Sequence, residues 1–157
     1  MTRVKGERSM LKRFLLLAAL VLAGCKGHEF HPPSEEAKVA QADSLYAAMR
    51  FDTVQWQSDS LRLAMGNEVY AAKCDKCHGP TGEGGTEYAK AQNLAPKSLV
   101  RADWEFGDDR EAVRRRIFTG HPAGMPTWGV GKNITPREID AVTSYIMERL
   151  RPEAAAR

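Results

Sequence analysis

Several features that usually announce a function are scarce in this sequence of 157 residues. Only three cysteines occur, at positions 25, 74 and 77, an odd number that excludes a scheme of fully paired disulfides. No apolar run approaches the roughly 20 residues that a membrane-spanning helix needs. Internal repeats and long low-complexity segments are absent, and nothing resembles a hydrolytic or nucleophilic constellation. Positive charge is also scarcer than the net +3 implies. Arg3, Lys5, Arg8, Lys12 and Arg13 against Glu7 place +4 in the first 24 residues, so the remainder carries −1. Without a basic surface, nucleic-acid binding drops out.

What is present begins with an address. Five basic residues precede the apolar run at 14–22, which is followed by Ala23 and Gly24. Charge, short apolar run and small residues together describe an export signal. The ending Leu22-Ala23-Gly24-Cys25 resembles the lipobox of bacterial lipoproteins, which implies that Cys25 is lipidated and becomes the first residue of the mature chain. Lys26 stands where an aspartate would favour the inner membrane, which by resemblance to two-membrane bacteria disfavours retention there. The expected location is the cell envelope, lipid-anchored and facing the extracytoplasmic side.

The length suits one domain. The expected organisation is a lipoprotein signal at 1–24, a lipidated N-terminus with tether and helix at 25–58, a folded domain at 59–151 and a frayed tail at 152–157. Ser34 with Glu35 and Glu36 predicts a helix start, and Val39, Ala42, Leu45, Tyr46 and Met49 continue it at helical spacing. The stretch at 51–60, with Trp56, fits no element. A second helix is predicted from Asp59 or Ser60 to Lys73, and a turn of helix near 87–92 inside a Gly- and Pro-rich loop. A third runs from an Asp108 or Asp109 cap to Gly120. It carries Arg114, Arg115 and Arg116, read as a solvated face, with a docking patch for an acidic partner as the alternative. Thr135, Pro136 and Glu138 signal the last helix, whose apolar stripe is Ile139, Val142, Tyr145, Ile146 and Leu150.

Chemistry concentrates in Cys74-Asp75-Lys76-Cys77-His78. Cys-x-x-Cys-His is the attachment motif of c-type haem: two thiols on one turn reach adjacent vinyl groups, and the histidine is carried under the iron. A redox dithiol would want a β-strand before the motif, where a helix is predicted. Zinc would want a second ligand pair, and none follows. One lipid and one haem would use all three cysteines. A sixth iron ligand could come from Met125, Met147 or His121. Met147 lies on an amphipathic helix, where core packing is the ordinary reading, and His121 reads as a solvent-facing loop residue.

Residues from about 60 to 150 resemble a class I c-type cytochrome domain. Gly66 and Tyr70 are similar to the family's glycine and aromatic on the first helix, and Tyr145 to the aromatic of the last helix that packs across them. The run His78-Gly79-Pro80-Thr81-Gly82-Glu83-Gly84 is similar to the glycine-rich loop after the haem histidine. Pro96 resembles the proline whose carbonyl accepts the histidine's other N–H, with Pro80 as a nearby competitor. Gly124-Met125-Pro126-Thr127-Trp128 resembles the distal methionine segment. The resemblance implies an all-α fold, about three main helices and loops wrapped around one covalent haem c. It also implies thioethers at Cys74 and Cys77, His78 as proximal ligand and Met125 as distal ligand. The implied function is electron transfer between redox protein partners, with no small-molecule substrate. Two alternatives stand beside a free carrier: the haem subunit of a larger oxidoreductase, and a haem-based ligand binder if Met125 does not hold the iron.

Overall fold

The computed structural model describes residues 30–156. The export signal, Cys25 and the first part of the tether lie outside the described residues. Pro33–Arg157 forms one compact unit, and among its described residues there are helices and turns but no strand.

The start signals operate in chain order. Ser34 caps α1 (Glu35–Tyr46), its hydroxyl accepting the Ala37 amide. Ser58 caps α2 (Asp59–Val69) through the Leu61 amide. A π-turn at Tyr70–Cys74 then leads into the single turn α3 (Asp75–His78). Thr86 caps α4 (Glu87–Ala91), and Asp109 caps α5 (Arg110–Thr119), which stops at Gly120. On α6 (Pro136–Tyr145) Thr135 and Glu138 close a full capping box behind Pro136. Each cap satisfies an amide that the helix itself cannot, typically contributing about 1 kcal/mol.

The core lies where α2 crosses α6. Gly66 meets Ala141 and Tyr145 there without a side chain between them, and the rings of Tyr70 and Tyr145 stand 5.5 Å apart just beyond the crossing. Ile139, Val142 and Ile146 from the last helical stretch join Val69 and Tyr70, and Val113, Ile117 and Phe118 close the cluster from α5.

The segment before α2, left without a role by the sequence, is packed on this body. α1 lies against α5, with Ala42 buried and the Tyr46 ring edge-on to Phe118 at 5.3 Å. Asp43 pairs with Arg115 through two hydrogen bonds of 2.6 Å, and the Tyr46 hydroxyl donates to Glu111. Further along, Trp56 donates to Asp140 at 2.8 Å while Arg137 stacks on its ring.

These contacts also settle the arginine run. Arg114 pairs with Glu111 and Asp140, Arg115 with Asp43, and Arg116 donates to the Gly120 carbonyl. All three make contacts within the chain, Arg114 and Arg116 half-buried and Arg115 in an exposed pair. The tail differs from expectation. A second π-turn, Ile146–Leu150, continues into α7 (Arg151–Ala155). Pro152 lies at the junction of the π-turn with α7, and Arg151 holds the segment down through the Leu99 carbonyl at 2.8 Å and the Trp104 ring at 4.7 Å.

Candidate haem site

Local folding makes the Cys-x-x-Cys-His segment a helical corner. In the π-turn the Asp75 amide reaches back to the Tyr70 carbonyl. The extra residue in that turn rotates the chain beyond it, so Cys74 and α3 leave the line of α2. α3 then ends at Gly79, whose φ of +75° a side-chain-bearing residue adopts only with strain. Cys74 and Cys77 are free thiols, both half-buried.

Burial dominates the electrostatics. It pushes the Cys74 thiol up to about 12, with the neighbouring charges of Cys77 and Asp75 adding to the rise. Burial also lowers the pKa of His78, and the backbone of Lys97 opposes this to a smaller degree. The imidazole is therefore the neutral base at neutral pH, the form that ligates a metal. Its Nδ1 is buried and lacks a hydrogen-bond partner of good geometry.

Pro96, expected to orient His78, adjoins the residue whose backbone acts on it. A Cβ on Gly84 would stand 2.7 Å from the Pro96 carbonyl oxygen, so that carbonyl is lodged against Gly84. The backbone acting on His78 is that of Lys97, one residue further on.

Met125 sits at the end of a tight loop. The His121 amide donates to the Met125 carbonyl at 2.9 Å, and the Met125 amide to the His121 carbonyl at 3.1 Å. Gly120 permits this closure, because a Cβ there would lie 2.5 Å from the Met125 carbonyl oxygen. Met125 is half-buried and packed on the core cluster. His121 is exposed, and its Nδ1 accepts the Ala123 amide at 3.0 Å, a bond that builds the loop. Met147 belongs to the second π-turn and packs on the core.

One segment joins the two ligand candidates. The Lys97 backbone acts on His78, and Leu94, three residues earlier, packs into the space left by Gly124 beside Met125. On the other side, the Lys73 ammonium lies 5.8 Å over the Trp128 ring, linking the residue before Cys74 to the methionine segment. Sequence reasoning missed Leu94, Lys73, Trp128 and Thr86 in these roles. For Thr86 a signal was available, since Thr before Glu87 is an N-cap pattern.

The donor set fits haem c: two thiols three residues apart, a neutral buried imidazole and a half-buried thioether. It does not fit zinc, because among the described residues no three or more of His, Cys, Asp and Glu converge to hold a metal ion. A helical fold whose first and last main helices cross at a glycine, with this motif at the end of the first, defines a c-type cytochrome domain. Residues 62–146 match the family described as cytochrome c oxidase, cbb3-type, subunit III, and the chain belongs to that family.

Among its relatives is the cbb3-type cytochrome c oxidase subunit FixP of Azorhizobium caulinodans, 35% identical over 88 residues, which are 56% of this chain and 27% of that protein. Cytochrome c-553I of Paracoccus denitrificans is 33% identical over 54% of this chain and 35% of its own length. Cytochrome c6 of Gloeothece citriformis is 33% identical over 54% of this chain and 68% of its own. The chain thus spans less than a third of the FixP protein it matches. No solved structure matches it significantly.

Proposed function

We propose that this chain is a membrane-anchored, single-haem electron-transfer subunit that works within or beside a larger oxidoreductase. The observation that carries the reading is the corner at Cys74, Cys77 and His78, with a neutral imidazole and a methionine loop tied to the same segment. The cbb3 oxidase subunits among its relatives favour the subunit reading over a free carrier, although each is much longer than the matched region.

Haem c supplies an Fe(II)/Fe(III) couple when bound. Cys74 and Cys77 would hold it covalently, so that it is not lost from an exposed compartment. His78 would ligate from one face, already deprotonated by its burial. Met125 would fill the other face with a neutral, soft donor that favours the ferrous state and leaves no position for oxygen. A denaturing gel of wild-type protein made with cytochrome maturation factors should stain for haem, and the intact mass should exceed that of the lipidated mature polypeptide by one haem. An unstained band, or a mass with no haem, would remove the assignment.

Cys25 is proposed as the anchor, on the apolar run and small residues before it. Each buried methylene of an acyl chain contributes about 0.8 kcal/mol, and stable anchoring needs more than one chain. Among the described residues no helix is long and apolar enough to cross a membrane. Cys25→Ser should yield a soluble, haem-loaded product or stall processing. A variant that is cleaved normally and still pellets with membranes would place the anchor elsewhere.

A further inference from the structure

A helix end leaves its last carbonyls without partners inside the helix. α3 is one turn long, so the carbonyls of Lys76, Cys77, His78 and Gly79 all need donors from elsewhere. The Gly84 amide donates to the His78 carbonyl at 2.8 Å. The buried Tyr70 hydroxyl donates to the Gly79 carbonyl at 2.7 Å. The Thr86 hydroxyl donates to the Lys76 carbonyl at 2.8 Å and lies 3.4 Å from that of Cys77.

Thr86 does this while capping the next helix. Its oxygen accepts the Ala89 amide at 3.1 Å, so one hydroxyl donates to the attachment turn and accepts from α4. Its methyl group faces Gly79. An iron-ligating histidine is ordinarily oriented by a hydrogen bond to its other ring nitrogen. Here Nδ1 of His78 has no partner of good geometry, although the Lys97 backbone acts on the ring, so the backbone that bears the ring shares in orienting it.

We infer that Thr86 is a positioning residue for His78: its hydroxyl staples the attachment turn to α4 and, together with the Lys97 backbone, holds the plane of the imidazole. The inference rests on His78 as the proximal ligand. It is tested with three substitutions in the full-length, haem-loaded protein. Thr86→Ser keeps both bonds. Thr86→Asp keeps the cap, because its carboxylate accepts the Ala89 amide, but it has no proton to donate to Lys76. Thr86→Val keeps the methyl groups and loses both bonds.

The readout is the set of haem-methyl shifts in the NMR spectrum of the oxidised protein, whose order follows the orientation of the axial ligands, of which Thr86 adjoins only His78, rather than overall stability. Thr86→Ser should reproduce the wild-type order, whereas Thr86→Asp and Thr86→Val should both change it. A wild-type order in Thr86→Asp would mean that the hydroxyl only caps α4, and the inference falls. It falls equally if Thr86→Ser departs as far as Thr86→Val. Wild-type protein without covalent haem would overturn the reading beneath it and this inference together, a result distinguishable by mass before any spectrum is recorded.

Discussion

Met125→Ala is expected to leave covalent haem in place while removing the weak far-red charge-transfer band of the ferric protein and opening the iron to carbon monoxide. The reduction potential should fall on the order of 0.1 V, a modest part of the roughly 0.8 V that axial ligation spans. The direction comes from the donor: a thioether stabilises the ferrous state, and alanine offers nothing in its place. The loop around Met125 is built to keep its shape without that side chain, since its closure rests on the backbone bonds to His121 and on Gly120. Pro126 further confines Met125 to extended geometry. The substitution therefore removes a donor atom and leaves the segment standing. Met147→Ala serves as the control; it should change neither band nor carbon monoxide binding, because that side chain packs on the core. A wild type without the band, binding carbon monoxide as readily as Met125→Ala, would favour a ligand binder over an electron carrier.

Much of the scaffold around this site was legible because its signals are local. Ser34, Asp109 and the Thr135 box are short-range patterns whose physics is complete within four residues, and the structure uses each. The attachment motif was equally legible, since a turn suffices to define it. What could not be read depends on partners distant in sequence. Arg115 finds Asp43, an exposed pair, and Trp56 finds Asp140, partners 72 and 84 residues away in the chain that no local pattern could supply. The π-turns have no periodicity of their own and were hidden inside helices predicted as continuous. Pro96 lies next to Lys97, whose backbone acts on His78, and a one-residue distinction of that kind depends on the path of the loop, which has no local pattern.

Gly66→Ala should destabilise the fold although alanine is the better helix former. A Cβ at 66 would stand 2.7 Å from the Cβ of Tyr145 and inside contact distance of the Ala141 carbonyl. Both obstacles are fixed parts of α6, since a backbone oxygen and a Cβ cannot rotate away as a flexible side chain could. The helices must therefore separate, and overpacking of this kind costs about 1–3 kcal/mol, against a gain of roughly 1 kcal/mol from helix propensity. Separation would also disturb Tyr70 and Tyr145, whose rings lie just beyond the crossing, and through Tyr70 the hydroxyl that holds the Gly79 carbonyl. Gly66→Val should be worse, with covalent haem yield falling as the attachment corner loses its support. Asn67→Ala, one residue along on the exposed side of α2, isolates the propensity term and should be neutral or slightly stabilising. Urea unfolding of the three variants, followed by helical circular dichroism, compares the two effects directly. If Gly66→Ala unfolds at the same urea concentration as wild type, or at a higher one, the α2–α6 crossing is not the close contact that organises this domain.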